Sequence, residues 1–145
     1  MAVAGESMTK NDGGAIRQTI FYPYLHASLF GRGTALQTIV DCGKYDCPEY
    51  SDVPYIDSIA VETENGVTVF AVNRSNEEVI LECKAENFTC ANNPSHTAMY
   101  EENILAANTF ENPDCVKPKK VSEIVNEDNI IKTKLNPASW NVIQF

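Results

Sequence analysis

The sequence predicts an all-β fold, an antiparallel sandwich or jelly roll, with one helix before it. Apolar and polar side chains alternate through residues 78–86, which is the period of a half-buried strand. An Asn-Gly turn signal at residues 65–66 separates two apolar segments, and helical periodicity is confined to residues 20–30. Short strands with turn signals between them, and no helical pattern joining them, argue against a βαβ sheet.

The helix is predicted from Phe21 to Phe30. Pro23 is tolerated only in a first turn and therefore confines the start, while Gly31 fits a C-terminal cap. Leaving five large apolar side chains in water would forfeit on the order of 10 kcal/mol, so the apolar stripe is expected to pack on the sandwich or on another copy of the chain. This stripe comprises Ile20, Phe21, Tyr24, Leu25 and Leu29, and His26 flanks it.

The strands are predicted from turn chemistry and apolar periodicity. Asn65-Gly66 suits a type I′ turn, which would join a strand over Ile56–Glu62 to one over Val67–Val72. The second strand is apolar on both faces and is expected to lie centrally in a sheet covered on both sides. Residues 130–135 and 140–145 are predicted to pair as a second hairpin with a longer loop.

Composition and charge limit the classes of function. The 145 residues, 43% hydrophobic and 21% charged, suit one soluble globular domain. A formal net charge of -9 would repel phosphate backbones, so nucleic acid is not an expected partner. No apolar run reaches the length of a membrane span, and the N-terminus lacks a signal-peptide pattern. A membrane partner is therefore not expected. The cysteines number five, and an odd number does not suit a disulfide framework, so a reducing cytoplasm is the expected location.

No catalytic, cofactor or metal site is predicted within the chain. The cysteine spacings do not match the two tight pairs of a zinc site, and Cys83 is interpreted as a buried strand residue. The acidic loop 41–52 has groups that chelate calcium or, through its tyrosines, stack on a sugar, but a solvated loop explains the same residues. Neither His26 nor His96 belongs to a nucleophile motif. Trp140 is expected in the core, with an exposed platform for carbohydrate as the alternative.

Seven segments along the chain form a set: Gly13–Tyr24, His26–Ser28, Gly31–Gly33, Asp52–Tyr55, Thr68–Arg74, Ala107–Pro113 and Ala138–Ile143. Together they resemble the C-terminal region of family 51 α-L-arabinofuranosidases. The resemblance extends from about Met8 to Phe145, and none of the segments is a catalytic signature.

The resemblance implies a (β/α)8 barrel followed by a β-sandwich of jelly-roll type. Residues 1–32 would be the last loop and helix of that barrel, and residues 33–145 the sandwich. Members of the family remove terminal α-L-arabinofuranosyl groups with retention, using two glutamates about 5 Å apart. Both glutamates would belong to barrel strands that this chain lacks, so the chain alone is expected to be inactive. The loop before the helix would lie on the catalytic face, which makes Arg17 and Gln18 candidate substrate-proximal residues of the complete enzyme.

Two functions remain open from the sequence. In the first, the chain is the accessory sandwich of an arabinofuranosidase and its partner is the missing barrel. In the second, it is a stand-alone module that binds arabinose-containing oligosaccharides or polysaccharides. No cofactor is expected in either case, and a homo-oligomer is a possible arrangement.

Overall fold

The computed structural model describes residues 14–86 and 93–145. The start of the predicted N-terminal loop, residues 1–13, and Cys90 lie outside the described residues. No helix in these two ranges is long and apolar enough to span a bilayer. In chain order the elements are α1 Phe21–Phe30, β1 Thr34–Leu36, β2 Lys44–Cys47, β3 Tyr50–Pro54, β4 Ile56–Thr63, β5 Gly66–Asn73, β6 Val79–Lys84, β7 Ser95–Met99, β8 Lys119–Val121, β9 Ile124–Glu127, β10 Ile130–Leu135 and β11 Ser139–Gln144.

The strands form two main antiparallel sheets, and β2 and β3 form a separate two-stranded sheet. The larger sheet has the order β1-β4-β5-β11-β7-β8, and the smaller has the order β6-β10-β9. Side chains of both sheets meet in one core, where Ile131 and Leu135 of the smaller sheet join Val69, Ala71 and Ile143 of the larger. The described residues therefore form a β-sandwich with one α-helix, as predicted in outline.

The strand β5 lies at the centre of the larger sheet, between β4 and β11, as its apolar sequence predicts. On one face Val69 and Ala71 enter the core between the sheets. On the other face Phe70 joins Val61 and Val142 in a second cluster. Apolar side chains thus cover both faces of this strand, which explains why its sequence does not alternate.

The alternation in β6 also has the predicted consequence. Cys83 and its neighbours at 79 and 81 pack against the core, while the intervening side chains are exposed. On that outer face two lysines of β10 each lie between two glutamates, with Nζ–Oε distances of 3.1 to 3.5 Å. Hydrogen bonds to these carboxylates raise the pKa of both ammonium groups. The pairs are Lys132 with Glu82 and Glu127, and Lys134 with Glu78 and Glu123.

The helix α1 lies on the outer face of the larger sheet but does not use the predicted stripe. Tyr22, His26 and Phe30, spaced four residues apart, form the row that packs inward, and the first two are only 7% exposed. Of the two predicted surfaces for the stripe, the sandwich is therefore wrong, because α1 is apolar or aromatic on more than one side and periodicity does not say which side meets the sheet. Contact with another copy of the chain stays a prediction. The stripe is instead exposed by 49% at Ile20, 58% at Tyr24, 36% at Leu25 and 58% at Leu29, with Phe21 half-buried.

The β4–β5 hairpin is confirmed, but its predicted type I′ turn is wrong. That turn needs positive φ at both central residues, and of Asn65 and Gly66 only the glycine has one, at 122°. Glycine is required there because a Cβ would collide with the carbonyl oxygen of Phe145, which accepts a hydrogen bond from the next residue of β5. Among the described residues, two consecutive positive φ angles occur instead at Asp128 and Asn129, 51° and 64°, between β9 and β10.

The predicted hairpin between residues 130–135 and 140–145 is also wrong. β10 pairs with β6 and β9 in the smaller sheet, whereas β11 pairs with β5 and β7 in the larger. The connection crosses from one sheet to the other, and Asn73 helps to hold it by donating to the carbonyl of Asn136 over 2.9 Å. The burial patterns agree with this separation, because β10 is buried on alternate residues only, while β11 has three consecutive buried residues.

Candidate functional site

The first cluster of interest surrounds Asn108, in the segment 107–113. Its side chain is 6% exposed and makes three hydrogen bonds. Its Nδ2 donates to the carbonyls of Arg17 at 2.7 Å and Val116 at 2.9 Å, and its Oδ1 accepts from the Val116 backbone N–H at 2.7 Å. This asparagine therefore fastens the segment before α1 to the loop between β7 and β8.

The second cluster lies at the end of β5, in the segment 68–74. Asn73 is fully buried and accepts hydrogen bonds from both the backbone and the hydroxyl of Ser75, at 3.0 and 2.8 Å. Arg74 donates to the carbonyl of Pro54 and pairs with Asp57 at 2.8 Å. These contacts tie the end of β5 to the start of β4 and position the chain rather than a reacting group.

The third cluster contains Trp140 and His26. The indole Nε1 of Trp140 donates to Nδ1 of His26 over 3.1 Å, and its ring stacks on Phe70 with centroids 5.8 Å apart. The tryptophan is half-buried beneath α1, which supports the core-packing interpretation over an open sugar platform. His26 therefore lies in the packed face of α1 itself, where its Nδ1 accepts the hydrogen bond from Trp140.

The predicted substrate-proximal residues precede α1. The guanidinium of Arg17 lies 5.6 Å from the ring centroid of Phe21, a cation–π contact, and the carbonyl of Gln18 accepts from the Phe21 backbone at 2.9 Å. Both residues thus form the entry to the helix. Their backbones are fixed there by Asn108 and by the first turn, and the Arg17 side chain is exposed.

A cleft of about 370 Å3 opens beside this entry segment. Thr19, Tyr100, Glu101 and Trp140 contribute to its walls. Lys119 joins two of them, since its Nζ lies 3.3 Å from the Glu101 carboxylate and 5.0 Å from the Tyr100 ring centroid. The cleft therefore combines aromatic surface with a carboxylate that is already paired.

The acidic loop 41–52 contributes most of the β2–β3 hairpin and does not gather its carboxylates. Asp46 accepts from the backbone N–H of Asp52 at 2.9 Å, and Tyr45 packs on Tyr55 with ring centroids 5.0 Å apart. Across residues 14–86 and 93–145, no group of three or more metal-ligating side chains is present. Both contacts connect β2 to β3 or to the residue that follows β3, in addition to the antiparallel pairing of the two strands.

A buried polar network joins the two sheets at His96, which is 2% exposed. Its ring nitrogens lie 2.7 Å from the hydroxyl of Thr133 in the smaller sheet and 3.0 Å from Oδ1 of Asn141 in the larger. Burial lowers the pKa of His96, and the hydrogen bond to Asn141 partly opposes this effect. Sequence reasoning missed this network, because β7 also carries Ser95 and Thr97 and its sequence does not mark His96 as buried. The signal in β11 is an asparagine directly before Val142 and Ile143, since a polar side chain in a buried strand needs a hydrogen-bond partner.

These features define a class of protein: an antiparallel β-sandwich domain with a helix on the outer face of one sheet. In the segments 68–74 and 107–113, the buried side chains of Asn73 and Asn108 connect separate parts of the chain through hydrogen bonds. Residues 1–139 match the family described as "Alpha-L-arabinofuranosidase C-terminal domain". The chain belongs to that family, the C-terminal domain of family 51 α-L-arabinofuranosidases.

Curated relatives agree with this assignment. The chain is 37% identical over 140 residues to "Intracellular exo-alpha-(1->5)-L-arabinofuranosidase 1" of Bacillus subtilis (strain 168). It is 38% identical over 141 residues to the "Intracellular exo-alpha-(1->5)-L-arabinofuranosidase" of Halalkalibacterium halodurans. Each match covers 95% of this chain but 28% of the relative, so the chain spans little more than a quarter of these enzymes.

A solved structure gives the same picture. A family 51 alpha-L-arabinofuranosidase from Bifidobacterium longum superposes with a TM-score of 0.85 and 27% identity, covering 94% of this chain and 27% of that one. A second structure, titled "The crystal structure of Arabinofuranosidase", has a TM-score of 0.74 at 17% identity and shows the shared fold alone.

Proposed function

We propose that this chain is the C-terminal accessory domain of an enzyme that removes terminal α-L-arabinofuranosyl groups from arabinose-containing polysaccharides and oligosaccharides with retention. The observation that carries the proposal is the exposed apolar stripe of α1. Its four exposed side chains range from 36% to 58% exposure beside a packed inner row. A helix that is apolar beyond the face it buries needs a second partner.

The partner proposed for the stripe is a catalytic (β/α)8 barrel that holds both glutamates. In this arrangement residues 1–32 complete the barrel, and residues 33–145 form a sandwich of jelly-roll type. Ile59, 63% exposed, lies on the same sheet face as the helix because it pairs with Phe70, and it extends the apolar surface available to the barrel. The names of the relatives support a cytoplasmic enzyme.

The same arrangement gives Arg17 and Gln18 a role near the substrate. The loop that follows the last barrel strand lies on the catalytic face of such enzymes. Asn108 holds the backbone of Arg17 by a hydrogen bond from the sandwich, while the side chain of Arg17 is exposed. The sandwich would thereby position a loop of the active site without contributing a catalytic group.

The test is a chimera in which this chain replaces the matching C-terminal region of the Bacillus subtilis relative. We expect the chimera to hydrolyse an aryl α-L-arabinofuranoside and the isolated chain to show no turnover above buffer. Leu29→Glu in the stripe should reduce assembled, active chimera by about tenfold or more, because burying a leucine contributes about 1.5 to 3 kcal/mol. Ile80→Glu, at a similarly exposed residue on the outer face of the smaller sheet, is the matched control.

Equal losses in the two variants would show that the stripe has no specific partner. Turnover by the repurified isolated chain that disappears when one of its own glutamates is replaced would contradict the accessory role. Light scattering of the isolated chain also tests whether the stripe pairs with a second copy, since Leu29→Glu would then convert a dimer to a monomer.

The second candidate function, a stand-alone carbohydrate-binding module, is supported by the cleft beside Trp140. Aromatic side chains with a carboxylate at the rim are a common way to bind sugar rings. Titration with arabino-oligosaccharides would show saturable binding that Tyr100→Ala removes and Tyr50→Ala, at an exposed residue of the β2–β3 hairpin, preserves. Absence of saturable binding would leave only the accessory role.

A further inference from the structure

The hydrogen bond between Trp140 and His26 specifies a protonation state. An indole N–H donates and has no acceptor, so Nδ1 of His26, 3.1 Å away, must hold a lone pair. The imidazole beneath α1 is therefore neutral, with its proton on Nε2. A proton added at Nδ1 would place two donors against each other at this distance.

The surroundings of His26 do not favour a charge. Burial is the cause that lowers its pKa. The ring of Phe30 lies 6.1 Å away, and Trp140 in turn stacks on Phe70. Beyond them the cluster continues with aliphatic side chains of β4 and β11. Within residues 14–86 and 93–145, the His26 ring thus contacts aromatic side chains and is largely shielded from solvent.

Charged and titratable groups are present in α1 and at its ends, and on the helix side of β4 and β8. Asp57 of β4, on the helix side of the sheet, is already paired with Arg74. Arg32, after α1, donates to the carbonyl of Ser28. Arg17 lies before α1, with its guanidinium over the ring of Phe21, and Tyr22 lies within α1. Lys120 lies on the edge strand β8, where it pairs in register with Thr97. None of these contacts supplies a carboxylate to a protonated His26.

We propose that His26 and Trp140 form an acid-sensitive latch that holds α1 on the sandwich. Protonation of Nδ1 removes the acceptor of the indole hydrogen bond and places an unpaired cation in an apolar cluster, and the helix is released to hydrate that cation. The latch itself does not depend on the function proposed above. Its consequence for assembly does, since α1 also carries the stripe offered to the barrel.

The single tryptophan of the chain makes the latch directly observable. The indole N–H signal of 15N-labelled protein would be followed by NMR from about pH 8 to about pH 5, together with tryptophan fluorescence. We expect the indole proton to move upfield and the emission to shift to longer wavelength in one titration step below the ordinary imidazole value of 6.5. Far-ultraviolet circular dichroism should retain the sheet signal through that step.

The matched variant is His26→Gln, whose amide oxygen accepts a hydrogen bond but does not titrate. In this variant the indole signal should stay at its high-pH position throughout. A pH-independent indole signal in the wild type would overturn the latch. So would an identical step in His26→Gln, which would assign the titration to His96. If the variant does not fold, the imidazole 15N shifts of the wild type decide, because the latch requires Nδ1 of His26 to protonate at the same midpoint as the indole shift.

Discussion

Replacing Asn108 with alanine should lower the free energy of unfolding more than replacing an exposed residue of the loop between β7 and β8. The variant loses the hydrogen bonds to the carbonyls of Arg17 and Val116 and from the Val116 N–H. Each contributes about 1 kcal/mol net, and Val116 is itself only 6% exposed, so its N–H is left without ready access to water. The sum is a loss of about 3 kcal/mol in the free energy of unfolding.

For a domain of this size, 1 kcal/mol corresponds to a shift of about 2 to 4 °C in Tm, so Asn108→Ala should melt about 6 to 12 °C lower. Differential scanning calorimetry and urea denaturation would measure both quantities. Asn112→Ala is the matched control, because its side chain is exposed and the backbone N–H that donates to Thr109 is unchanged. We expect that control to stay within about 0.5 kcal/mol of wild type.

Asn108→Asp separates the donors from the acceptor. It retains an oxygen for the Val116 N–H but brings a carboxylate towards two carbonyl oxygens, and should be at least as unstable as the alanine variant. Similar melting temperatures for Asn108→Ala and Asn112→Ala would refute the assignment of Asn108 as a structural centre.

Three further outcomes are expected. Burial lowers the folded-state pKa of both His26 and His96, so the unfolded state binds more protons below pH 6.5. The free energy of unfolding should therefore fall as the pH drops below 6.5, and greater stability in urea at about pH 5.5 than at about pH 7.5 would contradict this. A truncated chain beginning at Gly33 should melt at a lower temperature and show red-shifted Trp140 emission, because it loses the packing of Tyr22, His26 and Phe30. An unchanged Tm and an unchanged emission would show that α1 does not stabilise the sandwich. Far-ultraviolet circular dichroism should be dominated by sheet, and a helix content of a third or more would be inconsistent with α1 as described.

Local signals in the sequence were sufficient for much of the fold. The helix bounds follow from Pro23 and Gly31, and the buried face of β6 follows from alternation at a period of two. The β4–β5 hairpin follows from a turn signal between apolar segments, and the central place of β5 from its apolar character on both faces. Each of these depends on residues that are neighbours in the chain, so the information is present locally.

The candidate site depended on contacts that no local pattern contains. The clusters at Asn108, Asn73 and His96 bring together residues separated by up to 91 positions. An asparagine in a loop has the same sequence appearance whether it is solvated or holds three backbone groups by hydrogen bonds. The family resemblance marked the segments around Asn73 and Asn108, but only the folded chain shows that their polar side chains fasten one segment to another.

The sequence by itself determined that this chain is a β-sandwich domain with a helix over residues 21–30 and a place in the arabinofuranosidase family. Only the tertiary structure decided that β10 and β11 belong to different sheets, and that α1 packs through Tyr22, His26 and Phe30 while the stripe stays exposed. The physical reason is the same in both cases. Apolar periodicity records that a surface must be covered, but the partner that covers it is chosen by packing and hydrogen bonding between distant segments.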